Sequence, residues 1–260
     1  MNNNIFQVIK SSSPLYLIPR RNSQLISECL FGEHLKVLKK NKNWYYIQLL
    51  TDKYKGWIEL SNLSLPQNNN YRVIANRTNI YTKPNIKSNI SFYLSLGSML
   101  NVTLIDDLWA TVSYQIKKKN FIGFVPTNDI VKKKGKVSDW VKIAENLIHT
   151  PYKWGGRDTL GLDCSALVQL SLQTYGLEFP RDTNLQTKIN FLKIKDRQFL
   201  KRGMLVFWEG HVAILLDKEN IIHANAFHMK TEIEPLIEAE KRIEKQYGEI
   251  KLFLNIPSNT

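Results

Sequence analysis

The sequence has little cysteine, since only Cys29 and Cys164 occur in 260 residues. Two cysteines exclude a fold held together by several disulfides, and they exclude a cysteine-rich zinc module. No run approaches the roughly 18 apolar residues of a membrane-spanning helix, and the N-terminus lacks the basic and apolar regions of a secretory signal. These absences predict a cytoplasmic protein with reduced thiols and no membrane partner.

Acidic residues are also scarce relative to basic ones. The sequence has 36 Lys and Arg but 23 Asp and Glu, which gives a net charge of +13. Such an excess favours an anionic partner (nucleic acid, a membrane surface or a wall polymer), or it is simply a lysine-rich surface. The basic clusters are residues 117–119 and 132–134, and neither belongs to a basic helix with interleaved aromatic residues. We therefore expect no nucleic-acid partner.

The first half of the chain repeats itself, with a glycine 12 residues before a tryptophan in each copy. The pairs are Gly32 with Trp44 and Gly97 with Trp109, an interval of 109 − 44 = 65 residues. Each copy then reaches a glycine followed by an aromatic and a β-branched residue, at 56–58 and 123–125. Short strand-like segments broken by Asn, Gly, Asp and Pro surround these residues, which predicts two small β-barrels.

This order of residues resembles the bacterial Src-homology-3-like domain, which is common in cell-wall proteins. The resemblance implies one such barrel over residues 1–66 and a second over residues 70–131. Residues 65–70 and 132–136 are then linkers. Each barrel either binds a ligand or serves only as structure, and the sequence leaves both alternatives open.

Beyond residue 137 the apolar spacing becomes that of helices followed by strands, which predicts a third, α+β domain over residues 138–257. Ser138 and Asp139 cap a first helix whose apolar positions run from Trp140 to Ile148. The other expected elements are a helix from about 164 to 175, strands at about 204–208, 211–216 and 220–225, a helix from Pro235 to Gly248 and a strand at 251–256.

Cys164 begins the second of these helices, and Asp163 before it is a good N-cap. The N-terminal end of a helix dipole favours a thiolate, so we expect a lowered pKa for the Cys164 thiol. Cys164 is therefore a candidate nucleophile, although a core cysteine is about as common at such a position. Cys29 lies in a strand-like segment and is expected to be a core residue.

Two histidines are the candidate partners of this thiol. A hairpin turn over residues 217–219 puts Leu216 opposite Asn220, so that His211 and His223 become diagonal neighbours on one sheet face. His211 can then take the thiol proton while His223 orients its ring. A two-residue turn would put them on opposite faces. The rival use, a metal site, is disfavoured because no carboxylate neighbours the histidines and the spacing is not that of a zinc site.

The residues around these three resemble those of the NlpC-type cysteine peptidases. The motifs that carry the resemblance are residues 154–156, 162–169, 180–183, 202–207 and 210–214, followed by His223. They imply a papain-like fold with a Cys164–His211–His223 triad, no metal and no cofactor. They also imply that Tyr152, with the Cys164 backbone N–H, stabilises the oxyanion, although packing is the alternative for Tyr152. Ala166 and Met204 depart from the family pattern without removing a reactive group.

Two barrels before such a peptidase resemble the γ-D-glutamyl-L-diamino acid endopeptidases that act on short recycled wall peptides. The resemblance implies that Glu28 and Tyr54 of the first barrel hold the free amine of an N-terminal L-Ala. It implies substrate contacts also for Asp163, Ser165, Asp182 and Thr183. The alternatives are an exposed strand-edge carboxylate for Glu28, a turn residue for Tyr54, and a helix cap for Asp182 and Thr183. His34, His149 and His228 are assigned no role.

Three functions remain at this point. The favoured one is a cytoplasmic peptidase that cuts the γ-D-glutamyl to diamino acid bond of peptidoglycan-derived peptides. The second is an exported wall hydrolase or lysin that uses its barrels to bind the wall. The third is a non-enzymatic binder of wall peptides, which the intact Cys-His-His set argues against. The sequence predicts neither the diamino acid nor the oligomeric state.

Overall fold

A computed structural model describes residues 4–116 and 119–257 of the chain. Lys117 and Lys118 of the first basic cluster lie outside the described residues. The chain divides into two compact units. The first unit holds the residues up to Lys136 together with Trp154–Thr159, and the second holds Val137–Lys153 and the residues from Leu160 onward.

The first unit begins with a seven-stranded antiparallel sheet in the order β3-β2-β6-β5-β4-β1-β7. Its strands are β1 (Ile5–Val8), β2 (Ser12–Tyr16), β3 (Leu25–Leu30), β4 (His34–Asn41), β5 (Trp44–Leu49), β6 (Lys55–Glu59) and β7 (Leu63–Ser64). Alternate residues of neighbouring strands, among them Leu35, Ile47 and Ile58, are fully buried and form its core. Cys29 belongs to this core, as expected.

A second seven-stranded antiparallel sheet follows, in the order β10-β9-β13-β12-β11-β8-β14. Its strands are β8 (Tyr71–Val73), β9 (Arg77–Tyr81), β10 (Ile90–Ser95), β11 (Met99–Ile105), β12 (Trp109–Ile116), β13 (Lys119–Pro126) and β14 (Ile130–Lys132). This order is that of the first sheet with every strand number raised by seven. Trp44 opens β5 and Trp109 opens the corresponding strand β12, so the internal repeat predicted from the sequence is confirmed as a repeat of strand order.

The repeated glycines Gly32 and Gly97 occupy positions that side chains would obstruct or strain. Their φ angles are +74° and +88°, in the left-handed region that favours glycine. A Cβ atom built on Gly32 would lie 1.9 Å from the carbonyl oxygen of Met99, which is far inside van der Waals contact. Both glycines precede the fourth strand of their sheet, so the same backbone geometry recurs in the two copies.

The short segment Trp154–Thr159, with strand β15 (Arg157–Asp158), clusters with these two sheets although it is remote from them in sequence. Arg157 forms a buried ion pair with Glu33, and the Tyr93 hydroxyl donates to Asp158 at 2.9 Å. The backbone N–H of Thr159 donates to the Ser95 hydroxyl at 3.1 Å. The first unit therefore includes a piece of chain that belongs to the C-terminal half of the sequence.

The second unit combines helices with a six-stranded antiparallel sheet in the order β17-β22-β18-β19-β20-β21. Its elements are α1 (Trp140–Glu145), β16 (Gly161–Leu162), α2 (Cys164–Thr174), α3 (Thr183–Gln186), β17 (Lys193–Ile194), β18 (Met204–Trp208), β19 (His211–Leu215), β20 (Asn220–Asn225), β21 (Lys230–Pro235), α4 (Leu236–Tyr247) and β22 (Leu252–Asn255). Every residue of α2 is buried, and this helix packs against β19 and β20.

Most of the elements expected in this unit are confirmed, although the two-residue strands β16 and β17 were not predicted. Helix α1 ends at Glu145, before the last apolar positions of the pattern. Pro235 is the N-cap of α4 and not a residue of its first turn. Strand β21 was not predicted at all, and it carries a residue of the candidate site. No helix among residues 4–116 and 119–257 is both long enough and apolar enough to cross a membrane.

Candidate active site

Cys164 lies at the first position of α2, where the backbone N–H groups of the helix have no partner inside the helix. The carboxylate of Asp163 caps this end by accepting a hydrogen bond from the Ala166 N–H at 2.9 Å. The sulfur of Cys164 lies 4.0 Å from the Thr183 hydroxyl oxygen and also has a hydrogen bond with the backbone of Val212. The thiol therefore lies beside β19, at Val212, the residue that follows His211 in the chain.

The protonation state of this thiol differs from the expectation. Burial and the neighbouring Asp163 carboxylate raise the pKa of Cys164 to about 11, although the Val212 and Thr183 hydrogen bonds favour the thiolate. The predicted lowering by the helix N-terminus is therefore wrong, because removal of water disfavours the charged form more than the helix end favours it. At neutral pH the nucleophile is a thiol, and it needs a base to become a thiolate.

The two histidines meet as predicted. Leu215 pairs with Ile221 across the β19–β20 hairpin, and the Leu216 N–H donates to the Asn220 carbonyl at 2.9 Å, so the register is the one inferred from the sequence. The Nε2 atom of His211 lies 2.7 Å from Nδ1 of His223. Burial lowers the pKa of both rings, that of His211 strongly. A neutral His211 is the form that can accept a proton from the thiol.

A carboxylate that the sequence analysis missed lies on the far side of His223. The Nε2 atom of His223 is 2.6 Å from Oε1 of Glu234, and the guanidinium of Arg242 pairs with the same oxygen. The expectation that no carboxylate neighbours the histidines is therefore wrong. Glu232 and Glu234 alternate in the sequence, which places them on one face of a strand. Because β21 was not predicted, the sequence did not connect Glu234 with His223.

These residues also define the place where a metal ion is geometrically conceivable. Donor atoms of His223, His228 and Glu234 all lie within 4.8 Å of one another. The guanidinium of Arg242, however, already pairs with the Glu234 carboxylate and supplies the positive charge there. A divalent cation would have to displace this arginine, so these residues fit a metal ion poorly.

Tyr152 is joined to the nucleophile's surroundings through an isolated bridge with Leu162, two residues before Cys164. Burial raises the pKa of the Tyr152 hydroxyl, and negative charge at Cys164 or Asp163 raises it further. The hydroxyl therefore keeps its proton at neutral pH and can donate a hydrogen bond.

The residues on either side of Cys164 form a buried polar cluster. Arg181 donates to both carboxylate oxygens of Asp163, at 2.9 and 2.7 Å, and to the Ser165 hydroxyl at 2.8 Å. Arg181 lies in the 180–183 motif, and the sequence analysis predicts no role for it. Asp182 is half-buried at the N-cap position of α3 without a side-chain capping bond, and Thr183 begins that helix. Among the predicted substrate residues here, Thr183 has its hydroxyl oxygen 4.0 Å from the Cys164 sulfur.

Glu28 and Tyr54 belong to the first unit. Glu28 is only 4% exposed, and its Oε2 atom accepts a hydrogen bond from the Arg157 backbone N–H at 2.8 Å. The alternative of an exposed strand-edge carboxylate is therefore wrong. The Tyr54 side chain is partly buried against the core of the first sheet, with its hydroxyl 3.4 Å from the carbonyl oxygen of Ile26.

Residues 149–247 match the NlpC/P60 family, and residues 15–63 match the bacterial dipeptidyl-peptidase Sh3 domain. The first match spans the region of Tyr152, Cys164, His211 and His223. The chain therefore carries an NlpC/P60 domain, and it is a cysteine peptidase. It joins this peptidase domain, of papain-like fold, to an N-terminal Src-homology-3-like domain.

The chain is similar to curated relatives over most of their length. The chain is 27% identical over 240 residues to dipeptidyl-peptidase 6 of Lysinibacillus sphaericus, covering 84% of this chain and 86% of that protein. It is 24% identical over 246 residues to γ-D-glutamyl-L-lysine dipeptidyl-peptidase of Bacillus cereus, covering 82% of this chain and 71% of that protein. The crystal structure of an NlpC/P60 family protein from Bacillus cereus superimposes with a TM-score of 0.81 at 18% sequence identity. The superposition covers 96% of this chain and 99% of that one, so the two share a fold.

Proposed function

We propose that this NlpC/P60 peptidase hydrolyses the γ-D-glutamyl to diamino acid bond of peptidoglycan-derived peptides that begin with a free L-Ala. The observation that carries the proposal is the hydrogen-bonded pair of His211 and His223 on the sheet beside the Cys164 thiol. A relative that resembles most of the chain is named a γ-D-glutamyl-L-lysine dipeptidyl-peptidase, which supports the choice of bond.

The chemistry begins with the neutral thiol. His211 removes the Cys164 proton as the sulfur attacks the scissile carbonyl, which forms a C–S bond and a tetrahedral oxyanion. The Cys164 backbone N–H and the Tyr152 hydroxyl donate hydrogen bonds to that oxyanion, and one such donor is typically worth about 2.7–4 kcal/mol. His211 then gives the proton to the departing amine as the C–N bond breaks. Water, activated by the same histidine, hydrolyses the thioester and restores the thiol.

We propose further that Glu28 and Tyr54 bind the ammonium group of the N-terminal L-Ala, with Asp163, Ser165, Asp182 and Thr183 on the substrate side of the nucleophile. An ammonium needs an anionic partner once water is excluded, and a buried carboxylate meets that need. One Glu28 oxygen accepts the Arg157 N–H, and a carboxylate can accept several more hydrogen bonds.

The second sheet has the same strand order as the first, which supports assigning it as another Src-homology-3-like barrel. On this proposal the domains are residues 1–66, 70–131 and 138–257, and the two barrels precede the peptidase. We place the reaction in the cytoplasm, in the recycling of wall peptides. The rival, an exported wall hydrolase whose barrels bind the wall, draws its support from the net charge of +13.

Product analysis distinguishes the two. Purified protein is incubated with the tripeptide L-Ala-γ-D-Glu-L-Lys, with its diaminopimelate counterpart, and with whole sacculi. The proposal expects L-Ala-D-Glu to be released from a free tripeptide and little release from sacculi, with Cys164→Ala inactive on every substrate. Cleavage confined to sacculi would favour the wall hydrolase, and activity retained by Cys164→Ala would exclude cysteine catalysis.

A further inference from the structure

The sheet beside the nucleophile carries a line of three hydrogen-bonding side chains on three adjacent strands. His211 on β19, His223 on β20 and Glu234 on β21 are successive diagonal neighbours, because His223 lies directly opposite Glu232 and two residues from the level of Glu234. The distances are 2.7 Å between the rings and 2.6 Å from His223 to the carboxylate. Together with Cys164, this line makes four residues, one more than the proposed Cys-His-His triad.

Glu234 is held in a defined position. Its side chain is 11% exposed, and His223 beside it is completely buried. Arg242 on α4 pairs with the same oxygen that faces His223, and the guanidinium of Arg242 also stacks over the Phe227 ring at 4.3 Å. His228 is the other titratable group nearby, with Nδ1 4.0 Å from that oxygen. Although burial opposes its ionisation, hydrogen bonds from His223 and Arg242 lower the pKa of Glu234.

An ionised carboxylate can only accept hydrogen bonds, and this fixes the protons along the whole line. The Nε2 atom of His223 must carry a hydrogen to donate to Glu234. The neutral His223 ring then has a bare Nδ1, which accepts from the Nε2–H of His211. The neutral His211 ring in turn has a bare Nδ1, the atom left to receive a proton from the thiol.

We propose that Glu234 is a positioning residue that sets the tautomers of His223 and His211 and so keeps a bare nitrogen of His211 available to Cys164. The proposal rests on the peptidase function proposed above and adds a fourth residue to its machinery. Glu234 touches no reacting atom, and it acts through His223. As His211 gains its proton, the carboxylate also stabilises the positive charge that develops on the histidine pair.

The decisive variants are Glu234→Ala, Glu234→Gln and, as a matched control, Glu232→Gln. Glu232 lies on the same strand directly opposite His223, but its carboxylate pairs with Lys230. In Glu234→Gln the two donors, His223 and Arg242, favour the amide orientation in which the oxygen faces them. This orientation keeps the proton on Nε2 of His223. Each variant is assayed on L-Ala-γ-D-Glu-L-Lys beside Cys164→Ala, and thermal unfolding checks that each is folded.

We expect kcat of Glu234→Ala to fall about 10–100-fold, the range typical when the hydrogen-bond partner that orients a metal-bound histidine is removed. KM should stay near that of the wild type, because no substrate contact is lost. Glu234→Gln should recover most of kcat. The acidic limb of its kcat/KM profile should move to lower pH, since a negative charge is removed near His211 and His223 while the positive Arg242 remains.

Nitrogen NMR of the histidine rings provides a readout that is independent of turnover. Wild type and Glu234→Gln should show His223 with its proton on Nε2, and Glu234→Ala should show a mixture of tautomers. If Glu234→Ala is inactive because it is unfolded, the pH profile of Glu234→Gln decides. A wild-type pH profile of Glu234→Gln in that case overturns the proposal. It is also overturned if Glu234→Ala matches the wild type in kcat and tautomer while Cys164→Ala is inactive. Activity in Cys164→Ala would instead refute the peptidase function itself.

Discussion

The Nε2 atom of His211 and the Nδ1 atom of His223 lie 2.7 Å apart, so one ring is held by a direct hydrogen bond to the other. His211 directly precedes Val212, whose backbone has a hydrogen bond with the Cys164 sulfur. His223 is completely buried, whereas His211 is partly exposed. The two rings therefore have unequal roles, because a buried ring can orient its neighbour but cannot meet a leaving group.

Replacing the two histidines by alanine should expose this difference. His211→Ala should lower kcat by about 10²–10⁴-fold, the usual contribution of a general base. His223→Ala should cost less, because the proton acceptor remains and only its orientation is lost. Steady-state kinetics on the tripeptide measures both. A larger loss for His223→Ala would mean that the roles are reversed.

The positions of these histidines could be predicted because they depend on local rules. The turn over residues 217–219 sets the register of one hairpin, and the register sets which side chains share a face. The repeat in the first half was likewise visible, since Gly32 and Gly97 meet the same backbone requirement at the same interval.

Other features depend on packing between remote segments, which the sequence does not encode locally. Arg157 and Glu33 are 124 residues apart and still form a buried pair. Glu234 escaped notice because β21 has no clear apolar alternation, so the strand and its partner His223 were not connected. The pKa of Cys164 was misjudged for a similar reason: the helix end is local, whereas the loss of water around the sulfur results from tertiary packing.

The raised pKa of Cys164 leads to a prediction for chemical labelling. At pH 8 a thiol with a pKa of about 11 is ionised in roughly one molecule in a thousand, so alkylation depends on His211 as a base. Iodoacetamide should label Cys164 faster than the fully buried Cys29, and His211→Ala should slow the labelling of Cys164. Mass spectrometry of tryptic peptides measures both rates.

The labelling of Cys164 in His211→Ala should accelerate as the pH rises from 8 toward 11, because the thiolate then forms without a base. Cys29 provides the internal control, since burial raises the pKa of its thiol as well. Equal labelling rates for Cys164 in the wild type and in His211→Ala at pH 8 would contradict the assignment of the base.

The buried pair of Arg157 and Glu33 should matter for stability rather than for chemistry. Two hydrogen bonds of 2.8 and 2.9 Å join the groups, and both side chains are almost completely buried. Arg157→Met leaves the Glu33 carboxylate buried without its cation, which typically costs about 3–5 kcal/mol. Urea denaturation should show this loss in the free energy of unfolding of the first unit.

Two further variants test the explanation. Arg157→Met combined with Glu33→Leu should recover much of the lost stability, because no unpaired charge remains buried. Arg21→Ala removes the partner of Glu59 at an exposed site and should leave the unfolding curve essentially unchanged. If the double variant were as unstable as Arg157→Met, packing of the arginine side chain and not its charge would be the cause.

The carboxylate of Glu28 offers the sharpest test of substrate choice, and glutamine is the informative replacement. The amide oxygen of Glu28→Gln can still accept the Arg157 N–H, so the fold is preserved while the negative charge is lost. A hydrogen bond to a charged group is worth about 1.5–3 kcal/mol, which is roughly 10–150-fold in binding. If Glu28 binds the ammonium of L-Ala, kcat/KM on L-Ala-γ-D-Glu-L-Lys should fall by about that factor.

The N-acetylated tripeptide offers no ammonium, so it should be a poor substrate for the wild type and equally poor for the variant. A wall hydrolase would show the opposite preference, because the L-Ala nitrogen of a wall stem peptide is in an amide bond to the glycan. Wild-type enzyme that cleaves the acetylated peptide as fast as the free one would therefore exclude the recycling assignment, even with Cys164 established as the nucleophile.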